Sequence, residues 1–198
     1  MTSPRPVAGL LLAAGAGRRF GGPKALAQLD GEPLVLRALR TLTAAGCAPV
    51  RVVVGAAADQ VRALLPDPGL AVSAEDWATG MGASLRAGLA SLETTEQPDQ
   101  PVAALVHLVD LPWVGPGILA RVIAQATPET VARAAYDGVP GHPVLLGRRW
   151  WGEIARTALG DRGARDWLAT RADLTLIECG DLGSGRDVDR PGDLAGPA

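Results

Sequence analysis

The chain has 198 residues, of which 47% are hydrophobic and 20% charged. This composition excludes a disordered chain and predicts one domain over residues 1–198. The net charge of −2 leaves no general positive field that would recruit nucleic acid. No apolar run is long enough to cross a membrane, and the two cysteines lie far apart in the sequence. We therefore expect a cytoplasmic protein with neither a membrane nor a nucleic-acid partner.

Segments typical of buried strands alternate with segments typical of helices. The first four strands are predicted at residues 7–12, 51–54, 70–73 and 102–109, and helices at 33–45, 59–65, 80–92 and 116–126. A hairpin of strands 130–135 and 143–146 is predicted around Asp137-Gly138, followed by short helices at 150–158 and 163–169 and a last strand at 174–179. The polar stretch 93–100 is predicted to be a mobile loop. This order predicts a three-layer αβα fold with a mostly parallel sheet, whose ligands bind outside the carboxyl ends of the strands.

A glycine-rich loop, residues 13–24, follows the first predicted strand. It fails the dinucleotide fingerprint because Phe20 stands where a third glycine is needed, and it fails the P-loop pattern at Pro23. The loop still offers backbone N–H groups and three cations, Arg18, Arg19 and Lys24, which suit an anion. Lys24 is the single lysine beside 18 arginines, and its compact ammonium suits a phosphate. The alternative is an exposed turn with two surface arginines.

The pattern Leu-Ala-Ala-Gly-x-Gly-x-Arg-x-Gly-x-Pro-Lys, which ends at Lys24, resembles the signature of the nucleotidyltransferases with a molybdenum-cofactor guanylyltransferase-like fold. The alanine at position 14 is more similar to the molybdenum-cofactor cytidylyltransferase branch. The resemblance implies a Rossmann-like nucleotidyltransferase fold. It also implies that the base and ribose lie beside Leu12, Ala13 and Ala14, and that the phosphates are bound by Gly15, Gly17, Arg18 and Lys24.

Residues 76–85 extend this resemblance, because they match the family's Trp-x-x-Gly-Met-x-x-Ser-Leu helix start. The match implies that Gly80 and Ser84 contribute to nucleotide binding at a helix N-terminus. It also suggests that Trp77 stacks on a flat ring of the acceptor. Gly55, which follows the second predicted strand, completes the predicted nucleotide site. An asparagine common in the family is replaced here by Ala74, so the base stays open.

Two acidic positions are predicted to hold Mg²⁺. Asp110 ends the most apolar strand and lies at the ligand edge of the sheet, too early to cap the helix that begins near residue 116. Near the C-terminus, the segment from Asp187 to Leu194 resembles the family's Asp-x-Asp-Thr-Pro-x-Asp-Leu ending. Because alternate residues of an extended segment point to opposite faces, only one of Asp187 and Asp189 can share a metal with Asp110, and we choose Asp189. The alternative is that both aspartates cap the final helix.

The acceptor side is predicted from two further matches. Gly141-His142-Pro143 and Gly160-Asp161-Arg162-Gly163-Ala164-Arg165 are similar to segments of the same family. They place His142 and Asp161, together with Trp77, beside the acceptor. The alternatives are that His142 is a surface turn residue and that Asp161 caps the following helix, which is the simpler interpretation of Asp161. His107, inside an apolar strand, is predicted to be a buried core residue.

The resemblance implies Mg²⁺-dependent transfer of a nucleoside monophosphate, CMP from CTP, to a pterin-type phosphorylated acceptor, molybdopterin, with release of pyrophosphate. Arg18, Lys24 and Asp110 are the predicted catalytic groups. One alternative comes from relatives of this branch that carry the name nicotine blue oxidoreductase, which implies NAD(P)H-dependent reduction of a flat dye. Another is a maturation chaperone that passes the cofactor to a molybdoenzyme apoprotein. The residues leave the base, the acceptor and the oligomeric state open.

Overall fold

A computed structural model describes residues 6–93 and 100–195. The strands are β1 (Val7–Leu12), β2 (Gln28–Leu29), β3 (Glu32–Pro33), β4 (Val50–Val54), β5 (Ala71–Ser73), β6 (Ala103–Leu108), β7 (Val131–Tyr136), β8 (Val139–Gly147) and β9 (Thr175–Glu178). The α-helices are α1 (Leu34–Ala44), α2 (Ala58–Leu64), α3 (Met81–Glu93), α4 (Pro116–Ile123), α5 (Trp151–Thr157) and α6 (Arg165–Ala169).

Seven strands form one sheet in the order β5-β4-β1-β6-β8-β7-β9. Six of them run in the same direction, and β8 alone runs against its neighbours β6 and β7. β2 and β3 form a separate two-stranded ribbon. The central strand β1 is buried along its whole length, as expected for a parallel strand covered on both faces. The predicted three-layer αβα fold with a mostly parallel sheet is therefore confirmed.

Helices cover both faces of the sheet, and the side chains of β1 alternate between the two cores. Leu11 packs on the side of α1 and α4, in one cluster with Leu105. Leu10 and Leu12 pack on the opposite side with α3, α5 and α6. Gly88 of α3 permits this second contact, because a Cβ there would overlap the Leu10 side chain. The two cores hold the carboxyl ends of β1, β4 and β6 side by side.

Most predicted elements are present, with differences at their ends. α4 ends at Ile123 and α6 begins at Arg165, so both are shorter than the sequence pattern predicts. The predicted hairpin turn is confirmed, since Asp137 and Gly138 have φ values of 51° and 77°, the left-handed conformation that a two-residue hairpin requires. Most of the predicted mobile loop, residues 94–99, lies outside the described residues. Within the described part of the chain, we find no helix with the length and apolar character of a membrane span.

The Glu178 carboxylate, at the end of β9, ties the hairpin turn to the C-terminal segment. It accepts backbone hydrogen bonds from Asp137 and Gly138, each at 3.0 Å, and from Gly180 at 2.9 Å. These bonds, the one from Gly138 first, hold the pKa of Glu178 below its ordinary value. The C-terminal segment therefore leaves the sheet from a fixed point.

We predict that Glu178→Gln lowers the unfolding temperature near neutral pH. A carboxyl group whose folded pKa is depressed stabilises the fold above its unfolded pKa and loses that effect as the pH falls through the folded value. The difference between wild type and variant should thus be largest above about pH 5 and shrink as the solution becomes more acidic. Thermal unfolding followed by circular dichroism from neutral to acidic pH measures this. A difference that is independent of pH would contradict the charged role of Glu178.

Candidate active site

Two adjoining clefts open at the carboxyl edge of the sheet. The first cleft, of about 460 Å³, is lined by the glycine-rich loop, the start of α3 and Trp77. The second cleft, of about 510 Å³, is lined by the start of β8, parts of β6 and α6, and the C-terminal segment. The two clefts share a wall made by Leu12, Arg19, Lys24, Met81, Leu108, Asp110, Asp161 and Asp189. A ligand in one cleft can therefore meet a ligand in the other at this wall.

The glycine-rich loop folds back on itself at Gly17, whose φ is 60°. The Gly17 carbonyl accepts hydrogen bonds from the backbone N–H groups of Phe20 at 3.0 Å, Gly21 at 2.9 Å and Gly22 at 3.2 Å. A Cβ on Gly17 would overlap the Gly22 carbonyl, so only glycine fits this turn. The fold-back brings the end of the loop, with Lys24, to the shared wall.

Lys24 forms hydrogen bonds with both predicted metal ligands, Asp110 and Asp189. Its Nζ donates to Asp110 Oδ2 at 2.8 Å and to Asp189 Oδ1 at 2.9 Å, and Arg19 pairs with Asp189 Oδ2 at 3.0 Å. Partial burial alone would lower the pKa of Lys24, but the hydrogen bonds and charges of the two aspartates raise it overall. The Lys24 hydrogen bond is likewise the largest cause that lowers the pKa of Asp189. Lys24 and Asp189 therefore hold each other in their charged forms.

The C-terminal segment brings Asp189 beside Asp110. The N–H of Val188 donates to the Asp110 carbonyl at 2.9 Å, and the Val188 side chain is fully buried. The two aspartates that flank Val188 lie in different places. Asp187 lines only the second cleft, whereas Asp189 lines both clefts. Asp189 does not cap the short final helix, Pro191–Ala195, because its carboxylate oxygens bond Lys24 and Arg19, while Asp193 accepts the N–H groups of residues 189 and 190 at 2.9 and 2.8 Å. For Asp187 the alternative of a helix cap stays a prediction.

Most of the predicted nucleotide-binding residues lie together in the first cleft: Leu12, Ala14, Gly15, Gly17, Arg18, Lys24, Gly80 and Ser84. Two do not. Ala13 is buried in the core on the other face, and Gly55 lies behind Trp77, where a Cβ would come within 2.6 Å of the tryptophan Cγ. Gly55 thus permits the position of Trp77 and does not line the cleft. The nucleotide-binding roles of all these residues stay predictions.

Trp77 and Asp161, both predicted at the acceptor, lie in different places. Trp77 lines the first cleft and not the second, whereas Asp161 lines both. The expectation that Asp161 caps α6 is wrong, because Ala164 occupies the cap position and no side chain bonds the helix end. The loop that carries Asp161 is instead held against the start of α3, since a Cβ on Gly80 would overlap the Gly160 backbone.

The second cleft contains His142, whose acceptor-binding role stays a prediction, and an arginine that the sequence reasoning missed. Arg133 of β7 donates its Nε hydrogen to the Gly141 carbonyl at 2.9 Å, and the Tyr136 hydroxyl donates to the His142 carbonyl at 2.7 Å. Burial, and after it the charge of Arg133, lowers the pKa of His142 to about 3. His142 is therefore uncharged near neutral pH. His107 is buried in the core, as expected.

Several residues that line the clefts were not among the predicted ligands, Arg19, Met81, Arg133 and Arg165 among them. Arg19 had a signal, because it lies beside Arg18 in the loop pattern, yet Arg18 was chosen. Met81 also stands inside a quoted pattern. For Arg133 the only signal was its position in an apolar strand. Because side chains alternate between the two faces of a strand, Arg133 lies on the same face as the buried Val131. No motif distinguished it from a surface arginine.

The Tyr136 ring supports the C-terminal segment on its way to the site. A Cβ on Gly185 would overlap this ring, and a Cβ on Gly141 would come within 2.8 Å of it. Both glycines therefore allow close backbone approach to the aromatic ring. The same tyrosine thus contacts the segment that carries Asp189 and the start of β8 that carries His142.

The sheet topology, the folded glycine loop and the lysine between two aspartates at the carboxyl edge are the features of an α/β nucleotidyltransferase. The chain belongs to the MobA-like NTP transferase family, whose domain matches residues 9–175. This match covers every strand and helix described above except the first residues of β1, the last residues of β9 and the C-terminal segment. The resemblance stated from the sequence is therefore confirmed at the level of the family.

Several known proteins are similar over nearly the whole chain. Nicotine blue oxidoreductase from Paenarthrobacter nicotinovorans is 39% identical, over 92% of each chain. The crystal structure of Rv0371c from Mycobacterium tuberculosis H37Rv has a TM-score of 0.80 at 27% identity and covers 98% of this chain and 97% of its own. A complex of Rv0371c with manganese has a TM-score of 0.73 at 26% identity and covers 88% of each chain. Molybdopterin-guanine dinucleotide biosynthesis protein A from Archaeoglobus fulgidus shares the fold, with a TM-score of 0.70 at 18% identity over 96% and 95% of the two chains.

We predict that Gly185→Ala loosens the C-terminal segment. The added Cβ cannot occupy the space of the Tyr136 ring, so the segment or the ring must shift, at a cost of about 1–3 kcal/mol. Hydrogen exchange of the Val188 amide, which is bonded to the Asp110 carbonyl, should become faster. Gly192→Ala is the matched control, because nothing lies within 4 Å of a Cβ there. Equal Val188 protection in both variants would contradict this supporting role of Tyr136.

Proposed function

We propose that the protein transfers a nucleoside monophosphate, CMP from CTP, to the phosphate of a pterin-type acceptor, molybdopterin, and releases pyrophosphate. The observation that carries this proposal is Lys24, bonded to Asp110 and Asp189 at the wall between two clefts. The first cleft then takes the nucleotide and the second takes the acceptor. CTP and molybdopterin as the particular substrates rest on the loop resemblance.

The reaction joins an acceptor phosphate oxygen to the α-phosphorus and breaks the bond between the α-phosphorus and the oxygen that bridges to the β-phosphorus. The electron pair of that bond leaves with pyrophosphate. No proton transfer is required, because the attacking oxygen is already anionic. The protein therefore contributes position and charge rather than an acid or a base.

The residues of the first cleft suit a triphosphate. Arg18 and Arg19 are exposed at its rim, and Lys24 ends the loop. The N-terminus of the 13-residue helix α3 faces the same cleft through Gly80 and Ser84, and such helix ends favour anions. Trp77, which lines this cleft, offers a flat face to the base instead of to the acceptor.

Asp110 and Asp189 fit a divalent cation, which we propose to be Mg²⁺. Mg²⁺ typically takes one or two carboxylates and completes its shell with phosphate oxygens and water. Among the described residues, no cluster of three or more His, Cys, Asp or Glu could hold a metal alone, so the nucleotide would supply further ligands. When bound, the cation would neutralise charge on the triphosphate. The manganese in a structure of Rv0371c supports a divalent ion.

A second candidate is an NAD(P)H-dependent oxidoreductase, favoured by the 39% identity to nicotine blue oxidoreductase. The loop argues against it, because Phe20 replaces the third glycine of the dinucleotide fingerprint. The residue after β4 is Gly55, so no acidic side chain there can bind a ribose hydroxyl. A third candidate, a maturation chaperone that hands the cofactor to a molybdoenzyme apoprotein, would keep the clefts without turnover.

One experiment separates these candidates. The protein is incubated with Mg²⁺, molybdenum-loaded molybdopterin and each of the four nucleoside triphosphates, and pyrophosphate is measured. Release with CTP alone supports the proposal, and release with another nucleotide corrects the donor. In parallel, NADH and NADPH oxidation is followed with a quinonoid dye. Oxidation without pyrophosphate release would replace the proposed function, and tight CTP binding without either reaction would favour the chaperone.

We predict that Asp110→Asn abolishes metal-dependent transfer while the fold survives. The change is nearly isosteric and removes the charge that a cation and Lys24 both require, so turnover should fall by about 10³-fold or more. Initial rates over a Mg²⁺ titration measure the effect. Asp59→Asn, in a fully exposed position on α2, is the control and should retain wild-type rates. Near-wild-type turnover of Asp110→Asn at saturating Mg²⁺ would refute the metal-ligand role.

We predict that Lys24→Arg weakens triphosphate binding, although arginine is the usual cation of this chain. The Lys24 side chain is only 15% exposed and reaches two carboxylates with one ammonium group. A planar guanidinium needs more room and cannot donate in the same three directions. Calorimetric titration with CTP in the presence of Mg²⁺ tests this, with thermal unfolding as the check on the fold. Equal affinities would mean that the ammonium is not required.

A further inference from the structure

Two arginines of the second cleft have no acidic partner among the residues that the structure describes. Arg133 is half-buried on β7, and its Nε–H is used by the Gly141 carbonyl. Arg165, the first residue of α6, lines the same cleft. By contrast, Arg162, which also lines it, is paired with Asp166 at 2.9 Å. Of these three arginines, only Arg133 and Arg165 therefore lack an acidic partner among the described residues.

Arg133 and Arg165 line the same cleft and carry like charges. Burial, and after it the charge of Arg165, lowers the pKa of Arg133. Holding the exposed Arg165 and the half-buried Arg133 in one cleft costs free energy unless an anion compensates their like charges. Planar guanidinium groups in such a position match the oxygens of phosphates and carboxylates. This part of the cleft is therefore suited to an oxyanion.

His142 also lines the second cleft and adds no charge to it. Its ring is neutral near neutral pH, for the reason given above, and so presents one hydrogen-bond donor and one acceptor. Asp161 and Asp187 also line the second cleft, but within the described residues neither forms an ion pair with Arg133 or Arg165. An uncharged flat dye would leave these two charges uncompensated.

We infer that Arg133 and Arg165 form a subsite for an oxyanionic group of the acceptor, separate from the phosphate that attacks the nucleotide. Transfer takes place at the shared wall with Lys24 and Asp110, whereas neither arginine lines the first cleft. The acceptor is then a phosphate monoester that carries a second anionic group. The role as an acceptor subsite rests on the proposed function, but the anion site itself does not.

Selenate is the probe, because it has the charge and shape of sulfate and its position is visible by anomalous scattering. Crystals of the protein with a non-hydrolysable CTP analogue are soaked in selenate, and selenate binding is titrated in solution with and without the analogue. We expect one selenate against Arg133 and Arg165 and a second at the shared wall. Arg165→Gln should remove the first and weaken its binding about tenfold or more.

Matched variants separate charge from shape. Arg165→Lys keeps the charge and should restore part of the affinity, whereas Arg156→Gln, on the exposed side of α5, should bind selenate like wild type. Arg18→Gln should affect anions in the first cleft only. Unfolding temperatures of all variants verify the fold, so that loss of binding reports the site and not unfolding.

Three results would overturn the inference. Selenate that binds Arg165→Gln as tightly as wild type would show that the arginines bind no anion. A single selenate, held by the arginines at the shared wall, would mean that they hold the attacking phosphate itself. Selenate seen in crystals without a titration signal would be an adventitious ion only. If the CTP analogue fails to bind while selenate binding still depends on Arg165, the proposed function fails and the anion site stands.

Discussion

One ammonium group, held between two carboxylates, organises the carboxyl edge of this protein. Lys24 comes from the first loop, Asp110 from the end of β6 and Asp189 from the C-terminal segment, and the three meet within 2.9 Å contacts. This meeting requires the turn at Gly17, which only a glycine can make, and the buried Val188, which fixes the segment beside the Asp110 carbonyl. The rest of the site is arranged around this ion-paired wall.

The charges on the two sides of the wall have different physical origins. In the first cleft they come from exposed arginines and from the N-terminus of α3, which favours anions. In the second cleft they come from guanidinium groups that strand β7 and helix α6 hold near a neutral histidine. In the proposed reaction the two anionic substrates would repel each other, and the Lys24 ammonium and a cation held by the two carboxylates would reduce that repulsion at the wall.

Much of the fold follows from the sequence, since β1 and β6 are apolar runs and the Asp137-Gly138 turn permits a single hairpin geometry. Asp110 could be placed at the site because a residue that ends a central parallel strand lies at the ligand edge. Which of the two clefts a residue lines was harder to predict. Trp77 was assigned to the acceptor and lies in the first cleft, which we propose for the nucleotide, because motif order does not reveal which wall a loop forms. Asp161 was expected at a helix end, but close packing at Gly80 holds its loop elsewhere. Arg133 needed the sheet register, which links it to Val144.

The antiparallel strand β8 separates the strands β5-β4-β1-β6 from the strands β7-β9. The first cleft is lined largely by residues before 110, from the end of β1 to the start of α3, whereas the second cleft is lined largely by the β7–β8 hairpin and the residues C-terminal to it. The hairpin turn, Asp137-Gly138, lies at the carboxyl edge and lines neither cleft, so insertions there would leave both clefts in place. Under the proposed function, such a division would let a lineage exchange its acceptor while it retains its donor. Members of one family can then differ in chemistry and still share this half of the sheet.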